Sequence, residues 1–405
     1  MGDMAIAETT LILRFADVGV ATYASLRIVA DPSRTVTWVI QSAQIRDGLD
    51  DLAAALPEPT PGESLTDALE RALTTGPFAA ADTEGELARR LGSALLSEQA
   101  WNLLLDGAAG AVLFISPSAR LGRVPWGSLA VPADDDADDG RRLVELVDLL
   151  MAIPPNIVNA PRPRTTWGDR RDRSPLVILD PRVPGQRPDS ALGSVLGRPA
   201  PDTLLARHFS DDVAAQRVLP AVSAPTELFR RTDADRDWLA TMLAEMPGRL
   251  LYVGHASAAE DRSGRADQAS LHLAEEHPLT AAAIMSRRMP IPPRVALIAC
   301  ASGGDYRFDE ATGLVAAMVL CGAQLVTATL WSLPTTAGYR RFTGGDTDPM
   351  GELIVAVDAA QGTDRAGHAV NEWQRECLRR WRSGDTAANP LYWAALATFA
   401  VDGAR

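Results

Sequence analysis

The stretch Pro293–Pro334, PRVALIACASGGDYRFDEATGLVAAMVLCGAQLVTATLWSLP, decides the reading of this chain. Arg294–Ala299 is short, apolar and free of breakers, as a buried parallel strand should be. It ends in Cys300, followed by Ala301, Ser302 and the pair Gly303-Gly304. A helical run over Ala311–Leu320 and a second apolar strand over Leu325–Leu330 complete a strand–helix–strand unit. Cys300 therefore falls where a strand stops and a glycine-bearing loop starts. In open α/β sheets that carboxyl edge is where ligands bind.

The same geometry occurs once more upstream. Arg249–Val253 (RLLYV) is a second apolar strand, ended by Gly254-His255. Two parallel strands would present His255 and Cys300 at one edge of one sheet. A cysteine needs a base nearby because the thiolate is the nucleophile and the free thiol ionises above neutrality. Read alone, Cys300 is a small buried hydrophobe and His255 a satisfied histidine. Together at adjacent strand ends they make a nucleophile–base dyad. Among the other histidines, His208, His272, His277 and His368, none ends an apolar strand ahead of Cys300.

These pieces resemble the CHAT-domain family of caspase- and separase-like cysteine peptidases. YVGHAS resembles the family's His-containing strand end, SLHLAEEHPLTAAAIMS the segment after it, and RVALIACASGG its Cys motif. ATGLVAAMVLCGAQLVTATLWSLP resembles the helix and strand that come next. GRVPWGSLAVP, RRLVELVDLLMAIPPNIV and NPLYWAALATFA also look like family segments, so the likeness spans roughly Ala108–Ala400. It implies a catalytic pair of Cys300 and His255, with an oxyanion hole formed by the backbone N–H groups of Cys300 and Ala256. It further implies a substrate pocket lined by the loop from Trp331 through Ser332 and Leu333. Asp305, Asp309 or Glu310 is a candidate negative charge there. Ala256 stands where the family usually has Gly, and Pro334 and Thr335 where it has an acidic pair.

The resemblance sets the expected fold. It is α/β, with a caspase-like, mainly parallel sheet flanked by helices and a small N-terminal α+β region. Residues 1–107 form an accessory region, 108–180 an inert caspase-like half and 181–405 the catalytic half. Within 1–107, Thr9–Phe15, Val20–Val29 and Thr35–Ile40 alternate as a small antiparallel sheet. Helical patterns come after it at Leu49–Leu56, Leu65–Leu73 and Glu84–Leu105. Ala111–Ile115 and Leu176–Leu179 are further strands, and Thr226–Phe229 and Asp235–Met246 are helices. Asp180 ends a strand within reach of the site, though Asp-Pro also starts turns.

Composition narrows the function. A chain of 405 residues with 46% apolar content suits two or three globular units. The net charge of −13 argues against a nucleic-acid grip. Arg162, Arg164, Arg170, Arg171 and Arg173 cluster in a Pro-rich stretch that reads as a solvated linker. Three cysteines make no disulfide framework, and Cys321 and Cys377 read as packing residues. There is no signal-peptide pattern and no run of about 20 apolar residues, so a cytoplasmic protein without membrane association is expected. No phosphate-binding loop or metal-ligand spacing occurs, so neither a cofactor nor a metal is expected.

The sequence thus points to a cysteine endopeptidase of restricted specificity. It would act on a protein partner in a bacterial defence or cell-death system, with an activating partner that orders the segments Asp180–Pro201 and Gly303–Glu310. The alternative is a catalytically degenerate CHAT module that binds peptides or scaffolds a complex. A ligand-binding domain that holds an anion at Gly303-Gly304 is a third reading.

Overall fold

The computed structural model describes residues 9–107, 110–132, 140–187, 190, 192–258, 266–300, 302, 313–401 and 404. Its strands are β1 (Thr10–Val18), β2 (Ala21–Ile28), β3 (Asp31–Gln41), β4 (Val112–Ser116), β5 (Asp148–Ala152), β6 (Leu176–Leu179) and β7 (Arg249–Gly254). Then come β8 (Ala256–Ser257), β9 (Ser270–Leu271), β10 (Leu279–Thr280), β11 (Arg294–Ala299), β12 (Leu325–Thr329) and β13 (Leu396–Ala400). Ten of them form one sheet in the order β3-β2-β1-β4-β5-β13-β12-β11-β7-β6. The small strands β8, β9 and β10 make a separate sheet.

Six neighbouring pairs in the large sheet are parallel and three antiparallel. The expected α/β fold with a mainly parallel sheet is what the chain adopts. The antiparallel contact between β12 and β13 reverses direction. So β6, β7, β11 and β12 share one carboxyl edge, while β1, β4, β5 and β13 run the other way. Every residue of β6, β11 and β12 is buried, which explains their mostly apolar sequences.

The N-terminal strands do not form a sheet of their own. β1 pairs in parallel with β4, so the β1–β3 meander extends the main sheet. Alternation along a strand marks its buried face but not its partner, and the sequence could not show this join. Four helices come next: α1 (Ser42–Ala55), α2 (Leu65–Thr74), α3 (Ala81–Leu95) and α4 (Glu98–Gly107). The helix expected over Glu84–Leu105 is two. Leu96 is extended, and the Ser97 hydroxyl accepts the Ala100 N–H to start α4 afresh. Thr226–Phe229 is a short 3₁₀ turn, Pro225–Leu228, rather than an α-helix. The arginine-rich stretch is partly tied down. Arg170 and Arg173 donate to the backbone carbonyls of Met246 and Glu245 at a helix end, and Arg294 stacks over Trp167.

The N-terminal region also reaches the loop after β12. Phe78, just before α3, lies with its ring 6.2 Å from that of Trp331, and Asn389 donates to the Phe78 carbonyl. Both rings are buried. Truncating a buried Phe costs about 3–5 kcal/mol. Phe78→Ala should lower whole-chain stability by that amount in denaturant unfolding. A loss below ~1 kcal/mol would mean that residues before α3 are a separable attachment.

Candidate active site

The pairing of β7 with β11 builds the site. Their parallel register runs from Arg294↔Arg249 to Ala299↔Gly254. Cys300 and His255 are each the next residue, so the two candidates leave adjacent strands side by side at one carboxyl edge. Both are half-buried. Gly254 is needed for close approach. A Cβ there would lie 2.8 Å from the Tyr252 hydroxyl oxygen and 3.3 Å from Pro181. That hydroxyl lies 2.8 Å from the His255 carbonyl and 2.7 Å from the His272 carbonyl, sharing one proton between two acceptors. Burial, and then the nearby Asp180 carboxylate, push Tyr252 ionisation far up, so the group stays a donor.

A second layer orients the histidine. His255 Nε2 lies 3.2 Å from the Gly193 carbonyl oxygen. A carbonyl only accepts, so the proton sits on Nε2 and the basic lone pair on Nδ1. Asp180, at the end of β6, holds the loop that supplies that carbonyl. Its fully buried carboxylate accepts from the Ser194 hydroxyl at 2.7 Å and from the Val195 and Leu196 amides at 3.1 and 3.3 Å. Arg230 pairs with Asp180 at 3.3 Å and donates to the Gly193 carbonyl at 2.8 Å. Asp180 and Arg230 both adopt left-handed backbone conformations, with φ of 51°. The candidate third residue therefore acts on the histidine through a loop, not by direct contact.

Around Cys300, burial pushes the thiol above its ordinary value, a hydrogen bond with the Ser332 side chain works against this, and the Glu58 carboxylate adds to it. A thiol already activated in the free chain is what a constitutive nucleophile would need; in this arrangement the sulfur is protonated at neutral pH. Cys321 and Cys377 are buried, with thiols pushed up to about 11 and about 12 by desolvation. They are packing residues.

The remaining candidates divide. Ala256 lies in β8, paired with Leu271. It is not among the described non-glycine residues with positive φ, so its Cβ introduces no backbone strain. Trp331 is fully buried. Its indole N–H donates to the Leu391 carbonyl, so its ring braces the loop from below. Ser332 and Leu333 are half-buried, and Asp305 lies outside the described residues. So does the Gly303–Glu310 segment. Of the other expected mobile segment, Ser194, Val195 and Leu196 are fixed to Asp180. Beyond that loop opens a cleft of about 1040 Å³, lined by Arg207, Arg230, Thr335, Arg340, Asp346 and Asp348 among others.

Sequence reasoning missed Gly193, Arg230 and Glu58. A backbone carbonyl leaves no residue-type signal. Glu58 lies 242 positions from Cys300 in the chain, among prolines that read only as a turn. Among the described residues no cluster has the makings of a metal site, and no helix is long and apolar enough to cross a membrane.

Comparison with known proteins adds a family. The CHAT domain family model matches residues 85–403. No curated protein matches the chain. Two crystal structures of the Saccharomyces cerevisiae separase–securin complex, at 2.6 and 3.0 Å, are similar at 12% and 11% identity, with TM-scores of 0.47 and 0.48. The match covers 97% of this chain and 30% of either separase chain.

Removing one partner of a buried ion pair strands the other, at a cost of about 3–5 kcal/mol. Asp180→Ala should therefore release residues 193–197. Amide exchange at Val195 and Leu196 should accelerate well beyond that in β7. Unchanged protection at both amides would show that Asp180 does not hold the loop.

Proposed function

The chain belongs to the CHAT domain family, and we propose that it is a caspase-like cysteine endopeptidase of restricted specificity, with Cys300 as nucleophile and His255 as its base. What supports this most is the register Ala299↔Gly254, from which a thiol and an imidazole leave adjacent parallel strands. The Cys300 sulfur attacks a peptide carbonyl carbon, and His255 Nδ1 takes up the thiol proton. The negative charge on the carbonyl oxygen is held by the backbone N–H groups of Cys300 and Ala256. The C–N bond then breaks, His255 returns its proton to the departing amine, and an acyl-thioester remains. Water, deprotonated by the same imidazole, releases the acid and restores the thiol.

Substrate backbone would lie along Ser332 and Leu333, with Trp331 bracing them from beneath. We take the substrate to be a protein, and assign residues 108–180 to an inert and 181–405 to a catalytic half. A defence or cell-death setting in the bacterial cytoplasm, with a partner that activates the chain, is drawn from the family resemblance. The protonated thiol of the free chain agrees with such activation. The same observation favours a second reading, a peptide-binding module without turnover.

Members of a catalytic unit fail together, so Cys300→Ala and His255→Ala should each abolish cleavage of the protein partner while the chain stays folded. Cys321→Ser should turn over near the wild-type rate. Cleavage that survives Cys300→Ala would end the peptidase reading. Tight peptide binding by wild type with no cleavage under any condition would select the binding module.

A further inference from the structure

Glu58 belongs to the turn between α1 and α2, in the region that the sequence marks as accessory, yet its carboxylate lies at the site. One oxygen accepts the Ser332 backbone N–H at 3.1 Å, across 274 positions of sequence. The other accepts Arg123 Nη2. The turn is built to hold this pose. Arg71 from α2 pairs with Glu63 at 2.8 Å and donates to the Glu58 and Leu56 carbonyls at 3.1 and 3.2 Å. Ser332, whose amide Glu58 holds, follows β12, which runs parallel beside β11 in the register Leu297↔Ala328, so it leaves the sheet next to Cys300. Glu58 and Arg123 are each about a third exposed, at 30% and 28%, so solvent and ligands reach the pair.

We propose that Glu58, Arg123 and Ser332 form a charge gate on Cys300, through which the N-terminal region governs how readily the sulfur ionises. A carboxylate beside a developing thiolate opposes it, and the guanidinium paired with that carboxylate offsets its charge. The other described titratable or charged groups at this sheet edge are Tyr252 in β7, His255 just after it and Asp180 just after β6. Tyr252 stays neutral, and Asp180 has Arg230 as its own buried counter-charge. Glu58 is the anion that an exposed contact can move. A ligand that takes the Ser332 N–H as its own donor draws Glu58 away and releases the thiol. The inference rests on Cys300 being the reacting thiol of the proposed peptidase, but its readout needs no substrate.

The test is the pH dependence of alkylation of Cys300 by iodoacetamide in the full-length chain, with Cys300→Ala as the blank. Cys321 and Cys377, with thiols up at about 11 and about 12, contribute little below pH 9. Glu58→Gln keeps an acceptor for the Ser332 amide and removes the charge. It should move the alkylation midpoint down by about one pH unit, giving up to ~10-fold faster labelling at neutral pH. Arg123→Gln should move the midpoint up. Any other pattern, including an unchanged Glu58→Gln midpoint or shifts of the same sign, overturns the gate. A chain that cleaves nothing but shows both shifts keeps the gate and loses the peptidase. A chain that cleaves with neither shift does the reverse.

Discussion

The parallel register between β7 and β11 is the constraint on which the rest depends. It fixes two consecutive strand ends so that an imidazole and a thiol emerge next to one another. A slip by one residue would turn every side chain of β7 to the other face and separate the pair. The register is protected because both strands are buried on both sides, where a slip would force Leu250, Val253, Val295 and Leu297 into space packed for other side chains. Tyr252 and Gly254 add local precision: the ring fits only against a residue without a Cβ, and its hydroxyl fastens the His255 carbonyl.

Around that register the chain assembles support from distant segments. Asp180 and Arg230 shape the loop whose Gly193 carbonyl fixes the histidine tautomer. Phe78 and Glu58 approach the loop after β12 from the other side, one by packing and one by charge. The N-terminal region is thus joined to the rest of the chain in three ways: through the β1–β4 pairing, the Phe78–Trp331 contact and the Glu58–Ser332 bond. The Cys300 thiol lies next to His255 but is held neutral.

The parts legible in sequence are those with local signals. RLLYV and RVALIA announce buried strands, and the end of each puts His255 and Cys300 at one edge. The family resemblance rests on the same stretches, and the family match over residues 85–403 agrees with it. The short strands β5 (DLLMA) and β13 (LATFA) do not stand out by periodicity, because a largely apolar run of five fits a helix turn equally well. The join of β1 to β4 and the reach of Glu58 were illegible for another reason: they are pairings across about 100 and 270 residues, and alternation or charge names no partner. Asp180 was visible as a strand end, but its left-handed backbone and its hold on the loop were not.

The central claim is that Cys300, oriented beside His255, is the reactive centre of this chain. A peptide carrying a thiol-reactive acyloxymethyl ketone, followed by mass spectrometry of the digested protein, tests it most directly. The account predicts a mass addition on the peptide containing Cys300, absent from those containing Cys321 and Cys377, and strongly slowed in His255→Ala. Labelling at Cys321 or Cys377 in preference to Cys300, or a Cys300 adduct that forms equally fast without His255, would contradict it.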